Sequence, residues 1–245
     1  MGRQVVACRV RVQASGHPHR QARDGRPEGV AVLLRHRGHE PVVHPSAYVA
    51  PNATVVGDVR IGPRARVMYG AVLDAEASRI EVGECAIICE HAVLRATAAG
   101  GTARPVVVGD HAFVGPHATL LGCGVDRCAY IATGATVLHA ARVGTGGSVA
   151  VGALVHAGTV VPDGFFLPPN MLAVGDPVRV VPPDDQEAMG EAVRSTGFAQ
   201  LAFGVEGAWE DRVARYRQAA EVRSEEFAAH ADDVALPRGG EAAPP

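Results

Sequence analysis

The sequence predicts an all-β solenoid, a left-handed parallel β-helix of hexapeptide repeats with C-terminal α-helices packed alongside. Aliphatic residues recur every six positions, small residues recur at a fixed offset from them, and the composition is poor in rings but rich in turn formers. Of 245 residues, 47% are hydrophobic but only 4% aromatic, with 29 Gly and 17 Pro. A core of Val, Ile, Leu and Ala suits narrow repeated packing, and the glycines and prolines imply many tight turns.

The aliphatic beat falls at Val43, Val49, Val55, Ile61, Val67 and Leu73. It resumes at Val82, Ile88 and Leu94, and again at Val108, Val114 and Leu120. One residue is then dropped, and the beat runs through Val125, Ile131, Val137, Val143, Val149, Val155 and Val161. Four positions after many beats stands alanine, as at Ala53, Ala71, Ala118 and Ala135, and glycine often follows the beat directly. Neither a 3.6-residue helix nor a simple alternating strand sustains a strict six. A hexapeptide repeat does: each unit is a short strand and a turn, three units close a triangular coil, and stacked coils bury the beat residues.

The insertions near 74–81 and 95–107 are expected to emerge as loops, where sites tend to be built. The solenoid domain is read as 30–183. Residues 184–229 follow as helices, the first with an Asp N-cap in "DDQEAMGEAVRSTG". In the last helical stretch Trp209, Val213, Tyr216 and Ala220 form one apolar stripe, expected to pack on the prism or on a neighbouring subunit. Residues 1–29 and 230–245 are polar and read as disordered.

A net charge of −3 gives no reason to expect a nucleic-acid partner, and no apolar run approaches the ~20 residues of a membrane span. The five cysteines (Cys8, Cys85, Cys89, Cys123, Cys128) are odd in number and lack C-x2-C spacing. They read as reduced small hydrophobes in a cytoplasmic protein.

The run "VVHPSAYVAPNATVVGDVRIGPRARVMYGAVLDAE" and the run "VVVGDHAFVGPHATLLGCGVDRCAYIATGATVL" resemble gamma-class carbonic anhydrase-like proteins of the hexapeptide-repeat superfamily. The closing "AVGDPVRVV" resembles their segment at the end of the prism. The resemblance spans roughly 41–183 and implies a homotrimer with sites between neighbouring prisms. It also implies a zinc ion held by three histidines, with an open position for an activated water. At the three ligand positions this chain carries Arg95, Pro116 and Leu121, so no catalytic zinc is expected there. Adjacent family segments read "LDAE", Leu73 to Glu76, and "CEH", Cys89 to His91. Asp74 stands where the family has arginine, so Arg95 is expected to pair with Asp74 or Glu90, with Glu76 nearby, at the subunit interface.

Three further readings stand beside this one. A metal site rearranged onto His91, His117 and Cys89 would keep carbonic anhydrase chemistry. Hexapeptide-repeat acyltransferases bind acetyl-coenzyme A between subunits and use a histidine base, a role open to His117, His139 or His156. A lone histidine on a coil, however, is more often simply exposed. Finally, the chain could be a structural subunit assembling with related hexapeptide-repeat proteins.

Overall fold

The computed structural model describes residues 31–207 and 209–237. The extension expected at 1–29 and the last residues, 238–245, lie outside them.

The backbone winds as a left-handed β-solenoid whose three faces are parallel sheets of ten, seven and seven strands, each strand pairing with the third one along the chain. The ten include one antiparallel strand at each end. The predicted beat sorts into three columns. On the first face Val55, Leu73, Leu94, Leu120, Val137 and Val155 are direct lateral neighbours. The second stacks Val43, Ile61, Val82, Val108, Val125, Val143 and Val161. The third stacks Val49, Val67, Ile88, Val114, Ile131 and Val149. All are buried except Val43 and Val49 on the first coil, which are partly covered. The alanines fill the corners: Ala53, Ala71, Ala118 and Ala135 have no exposed surface.

Both insertions leave these columns in register. The first spans 75–79 between the strands Val72–Asp74 and Ile80–Val82. The second, between Val93–Arg95 and Val106–Val108, contains a 3-10 turn at Ala99–Gly101. There Gly100 meets Gly204 so closely that a Cβ on either would lie under 3 Å from the other's Cα.

Past the prism, the strand Arg179–Val181 turns back antiparallel on Leu172–Val174. Helix α1 (Gln186–Ser195) follows, capped as the sequence predicts by Asp185, whose side chain accepts from the Ala188 N–H at 2.9 Å. It packs Ala192 against Leu172, Val174 and Val181. Helix α2 (Phe198–Phe203) is bounded by two left-handed glycines, Gly197 and Gly204. Helix α3 (Arg212–Ala228) begins at Asp211, which caps the Ala214 N–H.

Two expectations change here. Of the two places expected for the stripe on α3, the prism is not one: Val213 and Tyr216 are 72% and 62% exposed, which leaves a neighbouring subunit. The helix docks through charged residues described below, which apolar patterning does not register. Nor does the tail begin at 230: Ala229–Asp232 form a 3-10 turn and Val234–Ala235 pair antiparallel with the strand Val32–Arg35. That pairing is made by backbone groups, including Leu236 N–H to Leu33 O at 2.9 Å, and a two-residue strand has no periodicity to read.

Coil spacing is set where glycine follows the beat. A Cβ on Gly109 would lie 2.5 Å from the Arg127 backbone nitrogen and 2.8 Å from the Asp126 carbonyl carbon. Backbone of the next coil cannot yield as a flexible side chain would. Gly109→Ala is therefore expected to destabilise the prism by about 1–3 kcal/mol in denaturant unfolding; an unchanged midpoint would show that the coils can part at no cost.

Candidate functional site

The positions that the resemblance assigns to the family site fall partly on one ladder. Val56, Asp74, Arg95 and Leu121 are lateral neighbours on successive strands of the ten-stranded face. Asp74 and Glu76 are buried. The Asp74 carboxylate accepts from the Glu76 backbone N–H at 3.0 Å, pinning the start of the first insertion, where Glu76 takes a left-handed φ of 45°. Arg95 Nε lies 3.2 Å from Glu76 Oε1 and 3.6 Å from Asp74 Oδ2. It is within ion-pair range but out of line for a hydrogen bond, so this buried nitrogen makes none.

The hydrogen bonds to Glu76 come from α3 instead. Arg223 grips that carboxylate with both arms of its guanidinium, Nη2 to Oε1 at 2.6 Å and Nη1 to Oε2 at 2.9 Å. Glu226 takes up the other side of Nη1. The Phe227 ring sits 4.2 Å from the Arg223 guanidinium and 5.2 Å from that of Arg95, so one aromatic ring serves two cations. His230 extends the cluster, with Nε2 3.5 Å from Asp74 Oδ2. The sequence reading missed Arg223, Glu226, Phe227 and His230. The available signal was electrostatic: with Asp74 in an arginine's place beside Glu76, one Arg95 leaves an acidic excess that calls for another cation.

Of the expected ion-pair partners, Asp74 and Glu76 are present and Glu90 is not. Glu90 lies on the corner after Ile87–Ile88, an edge away from the Arg95 ladder, and its backbone carbonyl accepts from the His117 N–H at 2.9 Å. Pro116 and His117 occupy the matching corner one coil on. His91 and His117 both adopt left-handed φ, 56° and 57°, and their exposed rings stack at 5.2 Å. His117 thus belongs to a surface column, and Leu121 to the neighbouring face.

Zinc does not fit the three assigned positions. A guanidinium has no free lone pair, and proline and leucine side chains carry no donor atom. A rearranged set is not assembled either: Cys89 is buried, its thiol pushed up by burial and then by the Glu90 charge, and Cys89, His91 and His117 do not converge on a common point.

His139 and His156 lie on successive coils of another corner, the Gly158 N–H donating to the His139 carbonyl at 2.9 Å. Neither is a solvated loop residue; both are buried. Helix α2 covers them, with Phe198 edge-on to both rings at 6.0 and 5.7 Å and Phe203 6.5 Å from His139. Both Nδ1 atoms are buried without partners. Burial, then the charges of Arg104 and Arg223, push His139 down to about 4, and burial lowers His156. Each ring is neutral near pH 7, and His139 is a weak base shielded from solvent.

No family model matches the chain. It is 36% identical over 140 residues to gamma carbonic anhydrase 1, mitochondrial, of Arabidopsis thaliana, an alignment covering 54% of this chain and 51% of that protein. It is 30% identical over 141 residues to the carnitine operon protein CaiE of Escherichia coli strain K12, covering 58% and 67% respectively. A solved hexapeptide transferase family protein from Anaplasma phagocytophilum matches 79% of this chain and 97% of its own, at 24% identity and a TM-score of 0.44. The chain spans about half the length of the plant relatives it matches. With its three columns of hexapeptide beats, the chain belongs to the gamma carbonic anhydrase-like hexapeptide-repeat proteins.

Proposed function

We propose that this chain is a trimeric member of its family that has lost the zinc site, and that it serves a structural or small-molecule-binding role. One observation carries the reading: Arg95 stands at an assigned ligand position and faces Glu76, which the chain's own α3 holds through Arg223. A fixed guanidinium beside buried carboxylates replaces a metal's charge without its Lewis acidity or its activated water. Such a pair need not add stability over apolar residues, but removing Arg95 leaves the buried carboxylates short of a cation, at a cost that solvent reaching its side chain reduces.

A bare face of the prism supports self-association. Ile87, Phe113 and Tyr130 stand on successive strands of one seven-stranded sheet, pointing outward, with Tyr48 and Phe166 on its end strands beyond Arg66 and Ser148, and Phe113 stacks on Tyr130 at 5.1 Å. Tyr130 and Phe166 are 46% and 59% exposed. An apolar column of this kind suits burial against a neighbouring prism of the same chain or of a related subunit. The free thiols Cys85, Cys89, Cys123 and Cys128 suit a reducing compartment such as the cytoplasm. Among the described residues no helix is long and apolar enough to cross a membrane.

The acyltransferase reading ranks lower. His139 and His156 lie beneath α2, and His117 is held in a surface stack with His91.

With zinc supplied, the full chain is expected to hydrate CO₂ no faster than buffer in a stopped-flow indicator assay, and to give no saturable heat with acetyl-coenzyme A. Zinc-dependent acceleration abolished by His117→Ala would reinstate a rearranged carbonic anhydrase site, and saturable acetyl-coenzyme A binding would favour acyl transfer. Sedimentation is expected to show a trimer that Phe113→Glu converts to monomers with unchanged far-UV dichroism; a monomeric wild type would refute the assembly. His139 titrates near 4 when folded against 6.5 when unfolded, so the unfolded chain binds more protons between those values. Its contribution is complete above pH 6.5 and falls by up to about 3 kcal/mol as the pH drops to 4. Unfolding midpoints should therefore decline across that window less steeply in His139→Phe; parallel profiles would mean the imidazole is solvated.

A further inference from the structure

We propose that His36, His230 and Asp233 form a binding site for one divalent transition-metal ion of the zinc type. These residues are distinct from the three positions the resemblance assigns to the family's zinc. The site joins the first described strand to the last. Arg35 pairs with Val234, so the next rung places His36 opposite Asp233, and the 3-10 turn before it brings His230 alongside. His36 Nδ1 lies 2.6 Å from Asp233 Oδ1, and His230 Nδ1 lies 2.9 Å from Asp233 Oδ2. The two imidazoles stack with centroids 4.3 Å apart and planes 20° from parallel. One donor atom from each of the three residues lies within 4.8 Å of the others.

Charge balance argues for an occupant. Through the His230–Asp74 contact this triad is continuous with the Arg95 cluster. Four carboxylates, Asp74, Glu76, Glu226 and Asp233, are there matched by two guanidiniums, Arg95 and Arg223. Arg37, exposed at the rim, reaches only the Glu226 backbone carbonyl. Two negative charges are left over in a largely desolvated place. Protonating both histidines would supply the charge but would stack two cations face to face. His36 is 1% exposed and its Nε2 has no partner. One divalent cation on the two imidazoles supplies the same charge without stacking two cations.

The donor set selects the ion. Two imidazole nitrogens and one carboxylate suit zinc and its transition-metal neighbours better than magnesium or calcium, which prefer oxygen. Zinc bonds of about 2.0–2.2 Å hold neighbouring ligand atoms slightly further apart than the two histidine–carboxylate contacts seen here, and binding also requires the stacked rings to tilt until both nitrogens face the ion. Three protein donors leave one tetrahedral position for water. Bound there, the ion would clamp the end of α3 to the first coil and fix the approach of Arg223 to Glu76.

The test uses full-length protein stripped with chelator and titrated with cobalt(II) chloride, followed by displacement with zinc chloride. One cobalt per chain with a low-coordinate visible spectrum is expected, together with a zinc-dependent rise in the Tm of the wild type. His230→Gln and Asp233→Asn, which keep shape and hydrogen bonding, should each weaken binding at least about tenfold, the lower bound for losing even an outer-sphere partner. Wild-type protein that binds neither ion at micromolar concentration would overturn the proposal, whatever the variants do. Binding that both substitutions leave unchanged would place the ion elsewhere and would overturn it equally.

Discussion

Every coil of the prism is positioned by backbone hydrogen bonds that run from each coil to the next. Those bonds form only while the inward aliphatic columns stay stacked and the corners stay tight. The columns supply the apolar burial, and the ladders satisfy the peptide groups of strands only two to four residues long, none of which would persist alone. The constraint is local, since each coil touches only its neighbours. A chain so built tolerates insertions that return to the same column, which is how 75–79 and the longer excursion after Arg95 leave Leu73, Leu94 and Leu120 adjacent.

The excursions then become the means by which the helices are held. The second carries Gly100 against Gly204 after α2, and the first holds Glu76 near its start, gripped by Arg223 of α3. Helix α3 thus docks through a carboxylate and an aromatic ring wedged between guanidiniums, while its apolar stripe faces outward. The electrostatic cluster and the helix position are one fact: without α3, Asp74 and Glu76 would share Arg95 alone.

What was legible in the sequence follows from this division. The columns were legible residue by residue, because a strict six over nineteen beats reflects a single packing requirement. The Asp185 cap was legible because capping is local chemistry. Arg95 with Asp74 and Glu76 was legible through the resemblance, but Glu90 was not separable from them, since a position one corner away differs only in three dimensions. The roles of Arg223, Phe227, His230 and Asp233 were hidden for a different reason. They act across roughly 150 to 200 positions of chain, and no periodicity links residue 76 to 223 or 36 to 233. His139 and His156 misled in the opposite sense, because a short helix with no strong pattern of its own, α2, covers them.

The antiparallel strands at the two ends of the ten-stranded face carry a consequence of their own. A stack of parallel coils is an open template, and its last rung presents the same unpaired peptide groups as the rung before it, inviting another copy to continue the winding. Arg179–Val181 and Val234–Ala235 reverse direction at opposite ends of this sheet, so neither outer edge matches the polarity an incoming coil would need. The short segment at 234–235 is thereby a stopper against end-to-end fibre growth. The clasp that holds it down guards solubility as much as it guards the fold.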